Sequence, residues 1–350
     1  MTVKRKLEIF VKYKVKKASL LAGSLMGLAA FSFVLSLFPL ISPAVVEARF
    51  SRTVFPIISS FMRFWADSVP FAWLDLLLLA VIPFVAWCVW RRRWKWIGVA
   101  AAVGYLVFFW SWGVNYHREP LSAKLALNPN ATSRAAMDEF AHRAARELNA
   151  LYTQLPANSL DESTMRQESA NRVARVVEVL DGTKWTAPSR VKVSILGNAW
   201  FRVAGIDGVF NPIVHEPVIN SHLLDVERPF IISHELAHVR GYPDEGDANF
   251  VAILATVLSE HPQHRYSGWL HLWLYVRNRE LDALLDPGPR QDVQRIFDRL
   301  RREQIQWISN VQSAVLDLFL KANSVEEGVR SYSRVVLMAA ETQDTWDKYR

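Results

Sequence analysis

Three apolar stretches dominate the first third of the chain: Ala18 to Ile41, Phe71 to Trp90 and Ile97 to Val114. Each is close to the roughly 20 residues that cross a hydrocarbon core as a helix, so the pattern predicts three membrane spans. The first carries no charge. The second has Asp75 near its start, where a carboxylate can sit at the interface, and the third ends in the aromatic-rich "FFWSWGVNY" expected at a headgroup boundary.

Between the first two stretches, "VEARFSRTVFPIISSFMRFWADSVP" places apolar residues at helical spacings among Arg49, Arg52, Arg63 and Asp67, the pattern of either an interfacial helix or a plain loop. After the third, Met137, Phe140, Ala144, Leu148 and Leu151 form one face of an amphipathic helix with Thr132 or Ser133 as its N-cap. A second helix is expected from Asp161 to Leu180, ended by Gly182. The period then changes: "SRVKVSIL" alternates as a strand, and "GVFNPIVHEPVIN" reads as two short strands around a turn near Glu216 and Pro217. Helices resume from Pro229, with breaks at "GYPD", "HPQHRYSG" and "DPGPRQ". The expected fold is mainly α: a membrane domain over residues 1–116 and a mostly helical domain with a small β-sheet over residues 117–350.

The composition, 51% hydrophobic with 14 Trp, agrees with membrane contact. The formal net charge of +7 invites a nucleic-acid reading until its location is examined. Residues 1–17 hold +6 and "RRRWKW" at 91–96 holds +4, which leaves −3 for everything else. Basic residues flanking spans stay on the cytoplasmic side, so the N-terminus and the 91–96 loop are expected inside, with residues 117–350 delivered to the outer face of the membrane. Nucleic acid is thereby disfavoured and a lipid bilayer is the expected partner. The first stretch exceeds the 7–15 apolar residues of a signal-peptide core and "FPLISP" is a poor cleavage site, so it reads as a retained anchor. The single cysteine, Cys88, falls inside the second stretch and says nothing about compartment.

Chemistry concentrates in "ISHELAHVRGYPDEGDANFVA". His234 and His238 are four apart, so on a helix their imidazoles reach one point, and Glu235 stands beside the first of them. This is the HExxH pattern, in which the histidines hold Zn2+ and the glutamate serves as general base toward water. A third ligand is needed, and Gly241, Pro243 and Asp244 mark a turn into a second helix whose first turn is acidic. Glu245, followed one turn later by Asn249, resembles the Glu-x-x-x-Asp helix of gluzincin metallopeptidases. Asp244 completes a His-x-x-Gly-x-x-Asp spacing similar to metzincin-like enzymes, and Asp247 is a third choice. Glu245 is favoured. N-capping by Asp244 and a helix-dipole role for Asp247 are the ordinary alternatives for those two residues. Tyr266, His271 and Tyr242 are candidate donors to a developing oxyanion, Tyr266 foremost. A strand edge at Val191 to Leu196 or Val214 to Ile219 could pair with an extended peptide.

"FWSWGVNYHREPL", "GVFNPIVHEPVIN", "HELAHVRGYPDEGDANFVA", "RYSGWLHLWLY" and "DLFLKANSVEEGVRSYSRVV", in this order over roughly residues 105–340, resemble the bacterial membrane protein family catalogued as domain of unknown function 3810. The resemblance implies a membrane-anchored, gluzincin-like zinc metallopeptidase acting on an unspecified protein or peptide. It carries over His234, Glu235, His238 and Glu245. The family's segment after the motif is similar to Glu-Asp-Glu-Ala-Asn-Phe, from which Gly246 and Asp247 depart. A membrane protein that keeps a metal site for structure or for a partner is the competing expectation.

Overall fold

The computed structural model describes residues 3–37, 40–127, 134–184, 190–278, 280–322 and 332–350. Helix α1 (Val3–Leu37) carries the first apolar stretch, and its basic N-terminal turns continue the same helix. Then α2 (Pro43–Val46) runs through a wide-turned helical segment, Glu47–Val54, into α3 (Phe55–Asp67). Helices α4 (Trp73–Trp90) and α5 (Trp94–Ser111) carry the other two apolar stretches. Three helices are therefore long and apolar enough to cross a membrane, over Lys16–Leu37, Trp73–Trp90 and Trp94–Ser111. The third ends earlier than its composition suggests, because Trp112 leaves the helix and Gly113–His117 turn tightly.

A short helix, α6 (Leu121–Lys124), follows, and then two long ones, α7 (Arg134–Tyr152) and α8 (Glu162–Asp181). The N-cap expected at Thr132 or Ser133 lies outside the described residues. Helix α8 starts and stops where its sequence signals: the Asp161 side chain accepts from the Thr164 amide, and Gly182 takes the left-handed conformation (φ 74). The sheet is smaller than its alternation suggests. Strand β1 is Lys192–Val193 only, because Ser194 to Leu196 turn into α9 (Gly197–Ala204). Strands β2 (Gly208–Asn211) and β3 (Glu216–Ile219) are antiparallel, β1 pairs β3 in parallel, and the order is β1-β3-β2. The turn between β2 and β3 lies at residues 212–215, not at Glu216 and Pro217. His215 absorbs the left-handed step (φ 54), and Glu216 begins β3 fully buried.

The last part is helical: α10 (Arg228–Val239), α11 (Glu245–Val257), α12 (Pro262–Val276), α13 (Pro287–Glu303), α14 (Gln306–Ala322) and α15 (Tyr332–Thr342). Two expected breaks are helix starts instead. Pro262 and Pro287 occupy first-turn positions, where a missing N–H is no loss, and Arg265 to Gly268 continue α12. Every residue of α11 from Gly246 to Val257 is buried. This helix is the axis of the domain, packed against α8, α10, α12 and α15. Its apolar residues on all sides, Phe250, Val251, Ile253 and Leu254 among them, contribute roughly 1.5–3 kcal/mol each by burial.

Polar contacts tie this domain to the ends of the apolar helices. Glu216 accepts from the amides of Trp73 (3.0 Å) and Leu74 (3.2 Å), capping the start of α4, and pairs with the Lys192 ammonium (2.9 Å). Asp75 is not exposed at an interface: it accepts from the Ser194 hydroxyl and from the amides of Ile195 and Leu196, both 2.9 Å. Just past α5, Arg118 makes a two-pronged pair with Glu47 (both 2.8 Å) and also donates to Asp181 (3.0 Å) and to the Gly241 carbonyl (2.7 Å). Lys124 and Arg52 (3.0 Å) add two further cations to Glu47, and the Tyr242 ring lies under the Arg118 guanidinium at 4.3 Å.

Burial alone would raise the Glu47 carboxyl, but the hydrogen bonds and charges of Arg118 and Lys124 outweigh it and lower it to about 2. The group is ionised in both states at neutral pH and more acidic in the folded one. Its contribution to stability is complete above about pH 4.5 and is lost as pH falls toward 2. Replacing Arg118 by Met leaves buried Glu47 with Lys124 and Arg52 as its remaining cations and buried Asp181 with the Tyr242 hydroxyl. The variant is expected to lose about 3 kcal/mol, measured by denaturant unfolding of the detergent-solubilised chain, and the double change Arg118→Met with Glu47→Gln is expected to recover part of it.

Candidate metal centre

Helix α10 supplies the two histidines on its inner face. Its end is set by Gly241, which adopts φ 84 and closes a two-bond turn: the Tyr242 amide donates to the Ala237 carbonyl (3.2 Å) and the Gly241 amide to that of His238 (2.9 Å). A residue with a β-carbon is disfavoured here by that φ and by the Phe55 ring, 2.7 Å from where the carbon would sit. The turn carries the Tyr242 carbonyl back over α10, where it accepts from His238 Nδ1 at 2.7 Å. A carbonyl only accepts, so Nδ1 holds the proton, and in the neutral ring Nε2 is left with its lone pair.

Past Pro243, Asp244 caps α11 by accepting from the Asp247 amide (3.0 Å), and Glu245 becomes the first residue of the buried helix. His234 Nε2 lies 3.1 Å from His238 Nε2 and 3.3 Å from Glu245 Oε2, and His238 Nε2 is 3.8 Å from the same oxygen. The imidazole planes are nearly perpendicular, at 88°. Ligand atoms around a tetrahedral zinc with bonds of about 2.0–2.1 Å are about 3.3–3.4 Å apart, so these three fit the corners of such a site. Among the described residues this is the only group of three His, Cys, Asp or Glu found able to hold a metal ion. His234 and Glu245 keep 12% and 15% of their side chains exposed, which leaves an approach from solvent.

The charges agree with this geometry. Burial would raise the Glu245 carboxyl, but hydrogen bonds and charges from both histidines hold it well below the usual carboxylate range. Burial lowers the His238 imidazole, and Glu245, Glu235 and the Tyr242 carbonyl together more than reverse that, to about 9. Glu235 is buried, and burial chiefly pushes its carboxyl up to about 7. Its Oε2 has no hydrogen-bond partner among the described residues, nor does His234 Nδ1. Gly208 in β2 presses against this carboxyl so closely that a β-carbon there would lie 2.4 Å from Glu235 Oε1.

The other residues singled out in the sequence are elsewhere or otherwise engaged. Asp244 pairs with Arg334 (2.6 Å) besides capping, and Asp247 accepts from the Leu121 amide (3.1 Å). Neither belongs to the triad. Asn249 is buried one turn after Glu245, and its amide nitrogen lacks a partner among the described residues. Tyr266 donates its hydroxyl to Asp292 (2.8 Å) and packs against Tyr152; no contact among the described residues joins it to His234, Glu235, His238 or Glu245. The Tyr242 hydroxyl donates to Asp181 (3.0 Å). His271 stacks on Phe230 at 4.1 Å and places Nδ1 3.0 Å from the Ser267 carbonyl. Burial lowers it to about 4, so near neutral pH its single N–H is spent on that carbonyl.

Two tyrosines that the sequence did not single out feel the Glu245 carboxylate. Burial first and Glu245 next raise the hydroxyls of Tyr116 and Tyr275 far above the ordinary tyrosine value. Tyr275 could have been found, since it follows His271 by four residues on one face of α12. Tyr116 could not, because its position depends on how α5 docks. That docking is direct: the Trp112 indole, one residue past α5, donates to the His238 carbonyl at 3.1 Å.

No curated protein and no solved structure matches this chain. A family model described as "Protein of unknown function (DUF3810)" matches residues 50–339, a span that includes the second and third apolar helices, the sheet, both ligand-bearing helices and α14. The chain belongs to that family.

Proposed function

We propose that this protein is a membrane-anchored, zinc-dependent metallopeptidase with a gluzincin-like ligand set. The observation that carries the reading is the convergence of His234 Nε2, His238 Nε2 and Glu245 Oε2 within 4.8 Å of one another, with the Glu235 carboxyl on the next residue. His234, His238 and Glu245 would hold the ion. Zinc at such a site lowers the pKa of water and polarises a carbonyl. Glu235 takes the proton from the attacking water on its partnerless oxygen and returns it to the leaving amine. Gly208 fixes where that carboxyl rests. Tyr116 and Tyr275, whose hydroxyls feel the Glu245 carboxylate, are the candidate donors to the developing oxyanion, in place of Tyr266, whose hydroxyl is spent on Asp292. The +6 and +4 segments at residues 1–17 and 91–96 support a cytoplasmic N-terminus and an external active domain.

A purely structural metal site has no use for a partnerless buried carboxyl beside its ligand, and it is closed rather than partly exposed. The two readings separate by experiment. The full-length protein, purified in detergent and dialysed, is expected to retain about one zinc per chain by elemental analysis. His234→Ala and Glu245→Ala are expected to lose it, and Asp244→Ala to keep it. Retention by Glu245→Ala would move the third ligand elsewhere.

Glu235→Gln is expected to bind zinc normally and to cleave a quenched-fluorescent peptide library about 10²–10⁴-fold more slowly. Unchanged turnover in that variant, or no turnover by the zinc-loaded wild type on any peptide, would favour the structural reading. Gly208→Ala displaces the Glu235 carboxyl without touching a ligand. It is expected to leave zinc content intact while lowering kcat at least ten-fold.

A further inference from the structure

Helix α14 wears its apolar face outward. Trp307, Val311, Val315 and Leu318 are 69%, 54%, 57% and 70% exposed. At 100° per residue they fall within an arc of about 80°. The buried residues of the same helix, Ser309 and Leu320, lie on the opposite side. The arc contains no charge, because Asp317 and Lys321 sit on its flank and pair with each other (2.6 Å). Helix α3 repeats the arrangement: Ile57, Phe61 and Phe64 are 73%, 64% and 69% exposed, opposite buried Phe55, Ser59 and Arg63. In a water-soluble surface two such helices would be a liability.

Their positions identify what covers them. One end of α14 places the Phe319 ring on Phe108, inside the third apolar span, at 5.8 Å. Its other end is joined to α9 through the Ile305 amide and the Val203 carbonyl (2.8 Å), and α9 begins where Leu196 donates to Asp75, in the first turn of the second span. Helix α3 connects the same two levels: Phe55 clusters with Phe108 and Trp112, and the Trp65 carbonyl accepts from the Trp73 indole (3.2 Å). Both helices with outward apolar arcs are therefore joined to the spans at the same end. The metal centre lies at that same end. Trp112 bonds to the His238 carbonyl, and Tyr116, which feels Glu245, meets the Phe319 ring at 6.1 Å.

We propose that α14, with α3, lies in the headgroup–acyl boundary of the bilayer and holds the His234–His238–Glu245 centre against the membrane surface, so that its substrates are juxtamembrane segments of membrane-anchored polypeptides. The substrate class rests on the peptidase reading; the placement of α14 does not. A free soluble peptide reaches such a site only by approaching the lipid surface. A chain emerging from the bilayer is already there, at a high effective concentration.

The test uses the full chain in lipid nanodiscs. Leu318→Cys and Ser313→Cys are labelled with bimane, and the unsubstituted chain, whose one cysteine Cys88 is buried, gives the background. The Leu318 label is expected to be quenched at least three-fold more by doxyl-labelled lipid than the Ser313 label, and to be shielded from iodide. Equal access of iodide to both labels overturns the placement. So does shielding of Leu318 from both quenchers that appears only when two copies share a disc, which would make this face a contact between copies.

For the substrate class, one peptide is supplied free and also fused to a transmembrane anchor. The surface double variant Val311→Glu with Leu318→Glu is expected to lower the ratio of anchored to free cleavage at least ten-fold while the free rate is unchanged. An equal fall in both rates overturns that class. If the zinc-loaded wild type cleaves neither form, the peptidase reading fails and the class with it, and the quenching result still decides the placement of α14.

Discussion

The end of α10 is the junction on which the rest of the structure depends. A helix leaves its last carbonyls without partners inside the helix, and a buried end must find them elsewhere. Here the His238 carbonyl takes the Trp112 indole and the Gly241 carbonyl takes Arg118, both from the segment that leaves the third apolar span. The same turn sends Tyr242 back to fix the His238 ring and points the chain into α11. One backbone feature thus sets the tautomer of His238, the start of the helix bearing Glu245, and the seat of the helical domain on the apolar helices.

The cations at this junction are expensive to bury and are compensated accordingly. Arg118 satisfies its guanidinium with two carboxylates and a carbonyl and lies over an aromatic ring, so its desolvation is offset by short, charge-assisted bonds. Glu216 does the corresponding work at the other docking point, capping α4 while holding Lys192. Because these contacts join residues 47, 73–75 and 118 to residues 181–241, the apolar helices and the helical domain share their energetics. The apolar helices are a structural component of the candidate site.

Much of this was legible in the sequence because it rests on local signals. Apolar length marks the three long helices, Gly182 and Gly241 mark helix ends, and the four-residue spacing of His234 and His238 marks a shared face. What was not legible depends on contacts distant in sequence. The strand expected over residues 189–196 shrinks to two residues because the amides of Ile195 and Leu196 turn away to serve Asp75, some 120 residues earlier in the chain. Tyr266 looked like a donor in isolation, and only its partner Asp292 on α13 shows its hydroxyl to be occupied. Tyr116 and Gly208 enter the site through the docking of α5 and the seating of β2, neither of which leaves a mark in a residue pattern.

Three carboxylates open α11 within four residues, and only Glu245 meets the histidines. Asp244 stands before the first helical turn, where its side chain folds onto the Asp247 amide and outward to Arg334. Asp247, about 200° around the helix from Glu245, points to α6 and takes the Leu121 amide. Burial and the neighbouring Asp244 raise its carboxyl above the ordinary carboxylate range. Glu245 stands at the first helical position, between the cap and the brace, and the two neighbours fix its direction by immobilising the backbone on either side. A ligand at the mouth of a wholly buried helix is as rigid as the core behind it. That rigidity keeps His234, His238 and Glu245 at zinc-like separations.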